Sequence, residues 1–179
     1  MKIQIPPKLY EKCNLCSQNR WSNKKKGHFG RGLINSKDDP CRVERIGLLG
    51  EAALAQYINQ KVDYEYKEGG TPFDFNLDGL NIDIKTAARN YGCGLIRAIS
   101  DRGTIIELKS DIYVFAYLEN ENKEEKMATV ILTGWQEKCK IETMKTVPAR
   151  VGNHLNYEIP YANLNPIETL KNFRKKKTI

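Results

Sequence analysis

Residues 73–85 read Phe-Asp-Phe-Asn-Leu-Asp-Gly-Leu-Asn-Ile-Asp-Ile-Lys, and the fold of the chain is decided here. Apolar and polar residues alternate on both sides of Asp78-Gly79, a dipeptide that favours a two-residue hairpin loop. With that loop, Leu77 pairs with Leu80, and counting outward sets Asp74 opposite Asp83. Lys85 follows two positions later and projects from the face of Asp83, while Phe73, Phe75, Ile82 and Ile84 form the apolar face. Two carboxylates facing each other across a ladder repel. A divalent cation between them, with a lysine beside it, removes the conflict. The ordinary alternative is a solvated hairpin face on which Lys85 neutralises Asp83.

Upstream, a helix is expected from Val43 to Gln60, because Ile46, Leu49, Ala53 and Tyr57 recur at helical spacing and Leu48, Leu54, Ala55 and Ile58 widen the band. Glu51 falls inside that band, where an unpartnered carboxylate is costly. Strands are expected at Val62–Tyr66, Leu95–Ile99, Thr104–Leu108 and Met127–Trp135, with a terminal helix at Pro166–Lys175. The run Ile112-Tyr113-Val114-Phe115-Ala116-Tyr117-Leu118 reads as a strand covered on both faces. The order of elements predicts an α/β fold, a sheet flanked by helices.

Magnesium takes oxygen ligands and commonly one or two protein carboxylates. Asp74 and Asp83 suit that role, with the Ile84 backbone carbonyl as a third ligand and Glu51 binding a second ion or the metal's water shell. Lys85 is then placed to orient or deprotonate an attacking water and to stabilise a scissile phosphate.

Gly50-Glu51 on the helix, Pro72-Phe73-Asp74 entering the hairpin and Asp83-Ile84-Lys85 on its second strand resemble the PD-(D/E)xK nuclease superfamily, the restriction-endonuclease-like fold. The family pattern is usually written Pro-Asp, whereas Phe73 intervenes here; only the aspartate is a ligand. The resemblance covers residues 43–118 and, more loosely, the segment through Trp135. It implies a four-stranded mixed core sheet with flanking helices, and phosphodiester hydrolysis dependent on Mg2+ or Mn2+. Catalytic roles fall on Glu51, Asp74, Asp83 and Lys85, and Thr86, Arg89 and Arg97 are candidates for contacts to substrate phosphate. Asp111 reads as a turn residue, and the sequence offers His154 no partner.

The net charge of +7 is uneven: residues 1–46 hold 11 Lys/Arg against 4 Asp/Glu, and the rest of the chain holds 18 of each sign. Such a segment suits a polyanion, most simply nucleic acid; a solvated basic surface is the alternative. Residues 1–42 are rich in Pro, Asn, Lys, Gly and Ser and are expected to form a loop-rich, basic DNA-binding module, with 43–179 as the nuclease domain and its basic tail. Cys13-Asn14-Leu15-Cys16 is a CxxC pair, and His28 and Cys41 complete a candidate structural zinc site that would hold such a module together. Unliganded thiols, or an iron–sulfur cluster drawing on Cys93 or Cys139, are the alternatives. Lys24, Lys25, Lys26 and Arg31 are candidate DNA contacts in this segment, as is Arg89 in the core.

No apolar run approaches the roughly 18 residues of a membrane span, and the N-terminus lacks a secretory apolar stretch, so an intracellular protein is expected. The expected function is a Mg2+-dependent DNA endonuclease. A Holliday-junction resolvase, which requires a symmetric dimer, is the enzymatic alternative. A DNA-binding protein with a degenerate nuclease fold is the non-catalytic one.

Overall fold

The Asp78-Gly79 loop forms as the sequence predicts. Both residues take left-handed backbone angles, φ 51° and 85°, the conformation that a tight turn between right-twisted strands demands. Asn76 closes the turn by accepting the Gly79 N–H at 3.0 Å. Strands pair in the expected register, Leu77 with Leu80 and Phe75 with Ile82.

The computed structural model describes residues 1–26, 39–65, 71–149 and 152–173. Its elements, in chain order, are β1 (Lys2–Ile5), α1 (Pro7–Lys26), α2 (Arg42–Ile58), β2 (Phe75–Leu77), β3 (Leu80–Ala87), β4 (Cys93–Ile99), β5 (Ile112–Asn122), β6 (Met127–Glu137), α3 (Lys138–Ile141), β7 (Thr146–Pro148) and β8 (Leu155–Pro160). Two 3-10 turns follow, Tyr161–Asn163 and Ile167–Asn172. The main sheet is mixed, in the order β1-β6-β5-β3-β2. Only the β3/β5 pair is parallel; its partners on either side are antiparallel. A second, antiparallel sheet has the order β4-β8-β7.

β5 explains how these layers stack. Ile112, Val114 and Ala116 belong to the larger core with α1 and α2, and Tyr113 and Phe115 belong to the smaller core with Ile96 of β4 and Ile159 of β8. The near-continuous apolar run therefore serves two cores on opposite faces, as a strand buried on both sides must. The molecule is thus mixed α/β with helices on one face of its principal sheet.

Helix α2 ends at Asn59, whose left-handed φ of 57° lets its N–H return to the Ala55 carbonyl. On the sheet side, Gly50 allows the helix to approach β3 closely: a Cβ there would sit 1.7 Å from Thr86 Oγ1.

Residues 1–26 depart from expectation. Lys2–Ile5 is an edge strand on β6, and Pro7–Lys26 is a helix of 20 residues packed on α2. Its buried stripe is Tyr10, Cys13 and Ser17, so cysteine and serine occupy positions where a periodicity search counts leucine or valine. Ile5, Tyr10 and Cys13 join the main core, and that packing ties this strand and helix to the rest of the molecule.

Other expectations shift for local reasons. Val62 and Tyr64 do face the core, but residues 61–65 make no strand. Ile105 forms a single bridge to Ile99 where a strand over Thr104–Leu108 is expected. The C-terminal helix is shortened to the 3-10 turn Ile167–Asn172, which buries Ile167 and Leu170. Among the described residues, no helix is long and apolar enough to cross a membrane.

Candidate active site

β2 stops at Phe75, and the next residue outward, Asp74, turns its carboxylate inward. Its backbone N–H still reaches Ile82 O at 2.9 Å, and its Oδ2 accepts the Ile84 N–H at 2.8 Å. In an extended strand the N–H and C=O of one residue point to the same edge, so the Ile84 carbonyl is directed to the Asp74 side. Across the hairpin, Asp83 Oδ2 lies 2.6 Å from Lys85 Nζ. The ion pair of the ordinary reading is present, with Lys85 reaching solvent at 42% exposure and Asp83 sheltered at 16%.

Glu51 approaches from α2, also largely buried, with Arg20 Nη1 of α1 at 3.4 Å from its Oε1. The same guanidinium donates from Nη2 to Asp63 O at 3.4 Å. Burial drives the pKa of Glu51 up against the opposing charge of Arg20, and Asp83 adds to the rise. Asp74 is pushed up to about 7 by burial, then by the negative charges of Asp83 and Glu51, against the Ile84 N–H and Lys85. Burial works against the Lys85 ammonium, but Asp83 and Asp74 outweigh it and hold its pKa above the ordinary value. Three carboxylates and one ammonium thus share one electrostatic neighbourhood. Carboxylates that raise one another's pKa in a sheltered place are a recurrent mark of functional sites.

Among the described residues, no three His, Cys, Asp or Glu side chains are grouped so as to hold a metal ion. Glu51 therefore acts on Asp74 and Asp83 through its field and does not complete a three-carboxylate cage with them. Two carboxylates with a neighbouring carbonyl remain a donor set of the kind magnesium uses, with waters filling its shell.

The other anticipated residues are distributed unevenly. Thr86 Oγ1 is buried under Gly50 with no hydrogen-bond partner, so it is a packing residue and does not reach outward. Arg89 is exposed and stacks on Tyr91, its Cζ 4.9 Å from the ring centroid. Arg97 is engaged by His154 at 3.2 Å and Asp101 at 4.0 Å, which also supplies His154 with its partner. Asp111 accepts the Asn81 N–H at 3.0 Å and ties β3 to the start of β5. Lys24, Lys25 and Lys26 form the last residues of α1, and His28 and Arg31 lie outside the described residues.

Of the candidate zinc set, His28 lies outside the described residues. Cys13 donates its S–H to Leu48 O at 3.6 Å from within the core, and burial pushes its thiol up to about 12. A zinc ligand is a thiolate, so binding a metal there would have to offset that burial. Cys41 precedes α2, and Cys93 and Cys139 fall on β4 and α3.

Arg20 and Tyr113 are site neighbours that the sequence does not reveal. Arg20 was hidden because α1 reads as a loop. Tyr113 reads as core, yet it stands beside Asp83 in parallel register on the same face of the sheet. Its hydroxyl accepts the Ser110 N–H at 3.3 Å, and Ser110 Oγ donates to Pro72 O at 3.3 Å, bracing the segment that carries Asp74. No protein-family model, curated protein or solved structure matches the chain.

Proposed function

We propose that this protein is a Mg2+-dependent DNA endonuclease of the PD-(D/E)xK type. The observation that carries the reading is the hairpin register. It places Asp74 against the Ile84 N–H and Asp83 against Lys85, with Glu51 close enough to perturb Asp74. A magnesium ion fits the donor chemistry, because a dication beside Asp74 and Asp83 favours the ionised form that burial opposes. Asp74, Asp83 and the Ile84 carbonyl would hold it, and it would supply Lewis acidity and an activated water.

The chain's own residues divide the remaining work. Asp83 keeps the Lys85 ammonium at the edge of the donor set, where it orients a water and offsets charge gathering on the phosphate in the transition state. Glu51 sustains a negative field on the water side, and Arg20 prevents that carboxylate from being left alone in a buried place. The basic segment of residues 1–46 suits a phosphate-bearing substrate, DNA before RNA by the resemblance.

Incubating plasmid and branched DNA with protein in Mg2+ or Mn2+ tests the reading, alongside Asp83→Ala and Lys85→Ala. Cleavage by wild type and its loss in both variants supports it. Binding without cleavage in either metal favours a non-catalytic DNA-binding protein on the same fold, and equal cleavage by the variants removes this site from the reaction.

A further inference from the structure

The segment leaving β3 carries a feature that the proposed chemistry does not use. Lys85 is followed four residues later by Arg89 and six residues later by Tyr91, both exposed. The guanidinium of Arg89 lies over one face of the Tyr91 ring, 4.9 Å from its centroid, and Tyr91 retains 46% of its surface in solvent. The support beneath this stack is fixed on both sides of Tyr91. Asn90 Oδ1 accepts the Gly92 N–H at 2.8 Å, Gly92 takes a φ of 75° that suits glycine, and Gly92 O accepts the Tyr161 N–H at 2.9 Å. From there the chain enters β4, which packs so closely on the sheet that a Cβ at Gly94 would meet Phe115 Cδ1 at 2.1 Å.

An exposed tyrosine on a pinned turn, with an exposed guanidinium stacked on it, presents a solvent-accessible flat pair to which another flat group can add. Arginine planes and aromatic rings both stack on nucleobases, and every base has a π-face, so such contact is tolerant of sequence. In a continuous duplex those faces are covered by neighbouring bases. Only an unpaired base can reach such a platform. Six residues of extended chain span at most about 21 Å, so the backbone of Tyr91 lies within about six nucleotide steps of ~3.4 Å from Lys85 along a bound strand.

Resting on the nuclease reading, we infer that Arg89 and Tyr91 form a stacking platform for an unpaired nucleobase flanking the cleavage point. The substrate class is accordingly DNA with a single-stranded arm, such as a fork or flap, in preference to an uninterrupted duplex. Arg89 adds a phosphate-attracting charge to the stack, and Tyr91 supplies the ring.

Fluorescence anisotropy in EDTA, where no cleavage occurs, tests this with three labelled probes: a single strand, a blunt duplex and a fork with two unpaired arms. Wild type is expected to prefer the single strand and fork. Tyr91→Ala should weaken both by about tenfold or more and leave the duplex unchanged, and Tyr91→Trp should restore binding. A 2-aminopurine placed in the unpaired arm should lose fluorescence on binding wild type and Tyr91→Trp but not Tyr91→Ala. Equal affinity of wild type and Tyr91→Ala for the fork overturns the platform, as does a preference for blunt duplex. A parallel Mg2+ cleavage assay separates the two ideas. Cleavage that is indifferent to Tyr91 rejects the platform alone, and Tyr91-dependent fork binding without cleavage by wild type rejects the nuclease reading alone.

Discussion

Ile84 donates its backbone N–H to the Asp74 carboxylate at 2.8 Å, where a longer β2 would have offered a carbonyl. The side chain therefore ends one strand while completing the hydrogen bonding of the next, and it does so as a buried acid beside two others. Stability and chemistry make different demands on this residue. Asp74→Asn retains an oxygen for Ile84 and sheds the charge, so it should fold at least as well as wild type at pH 8 and lose cleavage. Asp74→Ala leaves a backbone donor unmet and should cost about 1–3 kcal/mol. Urea denaturation of the two variants, with a plasmid assay, checks the split; equal destabilisation by both would show that the charge is not the burden.

The pH dependence of stability should carry two opposed contributions. Asp74 has a folded pKa of about 7, pushed up by burial and by Asp83 and Glu51, against about 3.9 when unfolded. The folded state therefore holds this proton more tightly, and the associated stability is fully present below about pH 4 and lost as pH rises through 7. Asp39 is the reverse. Its hydrogen bonds with Arg45, against burial, hold it at about 2. That stability is present above about pH 4 and lost as pH falls toward 2. Unfolding free energies between pH 4 and 8 should fall with pH in wild type and fall less in Asp74→Asn. Mg2+ at pH 8 should raise the melting temperature of wild type and leave Asp74→Asn where it was. Parallel pH profiles for the two proteins would contradict the assignment.

The hairpin and the doubly covered strand were legible because strand patterns have a period of two and the turn needs left-handed residues, which Asp78 and Gly79 supply. The N-terminal helix was not, because its buried stripe is made of Tyr10, Cys13 and Ser17 and its exposed face is almost wholly polar. The same blindness concealed Arg20, and with it the partner of Glu51. Tyr113 was hidden differently: in an all-apolar run, alternation does not show which face meets a charged neighbour. The CxxC pair suggested a metal, and two thiols at helical spacing look the same in sequence whether they bind zinc or turn toward a core, as Cys13 does.

Gly50 precedes the buried acid, and its missing side chain is what brings α2 onto β3. A Cβ there would lie 1.7 Å from Thr86 Oγ1, 2.8 Å from Thr86 Cβ and 3.1 Å from Thr86 Cγ2. Gly50→Ala should therefore destabilise by about 1–3 kcal/mol through overpacking, against the helix propensity it gains. Thr86→Ala removes two of the three offending atoms along with a buried hydroxyl that has no partner. The double variant should recover part of the loss, giving a favourable coupling in a thermodynamic cycle. Additive effects would mean that the helix retreats as a body and does not press on Thr86.

Arg45 anchors the far end of α2 and is separable from the site. Only 3% exposed, it donates to both carboxylate oxygens of Asp39 and, through Nε at 2.6 Å, to Glu121, whose other caller is the Tyr10 hydroxyl at 2.8 Å. Removing the cation takes the forked partner from two carboxylates but leaves Lys123 on Asp39 at 2.7 Å and Tyr10 on Glu121, so Arg45→Ala should cost about 3 kcal/mol, the low end for a broken buried pair. Lysine cannot reproduce the forked donation and should rescue little. Its effect on cleavage, measured well below the melting temperature, should be small.

Lys85 gives the sharpest contrast with Arg45. Its Nζ sits 2.6 Å from Asp83 while the side chain remains 42% exposed, so truncation opens no cavity but takes the paired cation from the sheltered Asp83 Oδ2. Lys85→Ala should unfold within a few degrees of wild type and lose on the order of 10²–10⁴ in kcat, the range of a positioned acid–base or charge-stabilising group. Glu51→Gln should cost less, because Glu51 is held by Arg20 and meets the pair through its field. Lys85→Arg keeps the charge but spreads it over a plane, and should recover binding without recovering rate. Single-turnover cleavage with saturating protein separates these outcomes. A Lys85→Ala protein that cuts at the wild-type rate would leave Asp83 with a structural ion pair and no chemistry to support.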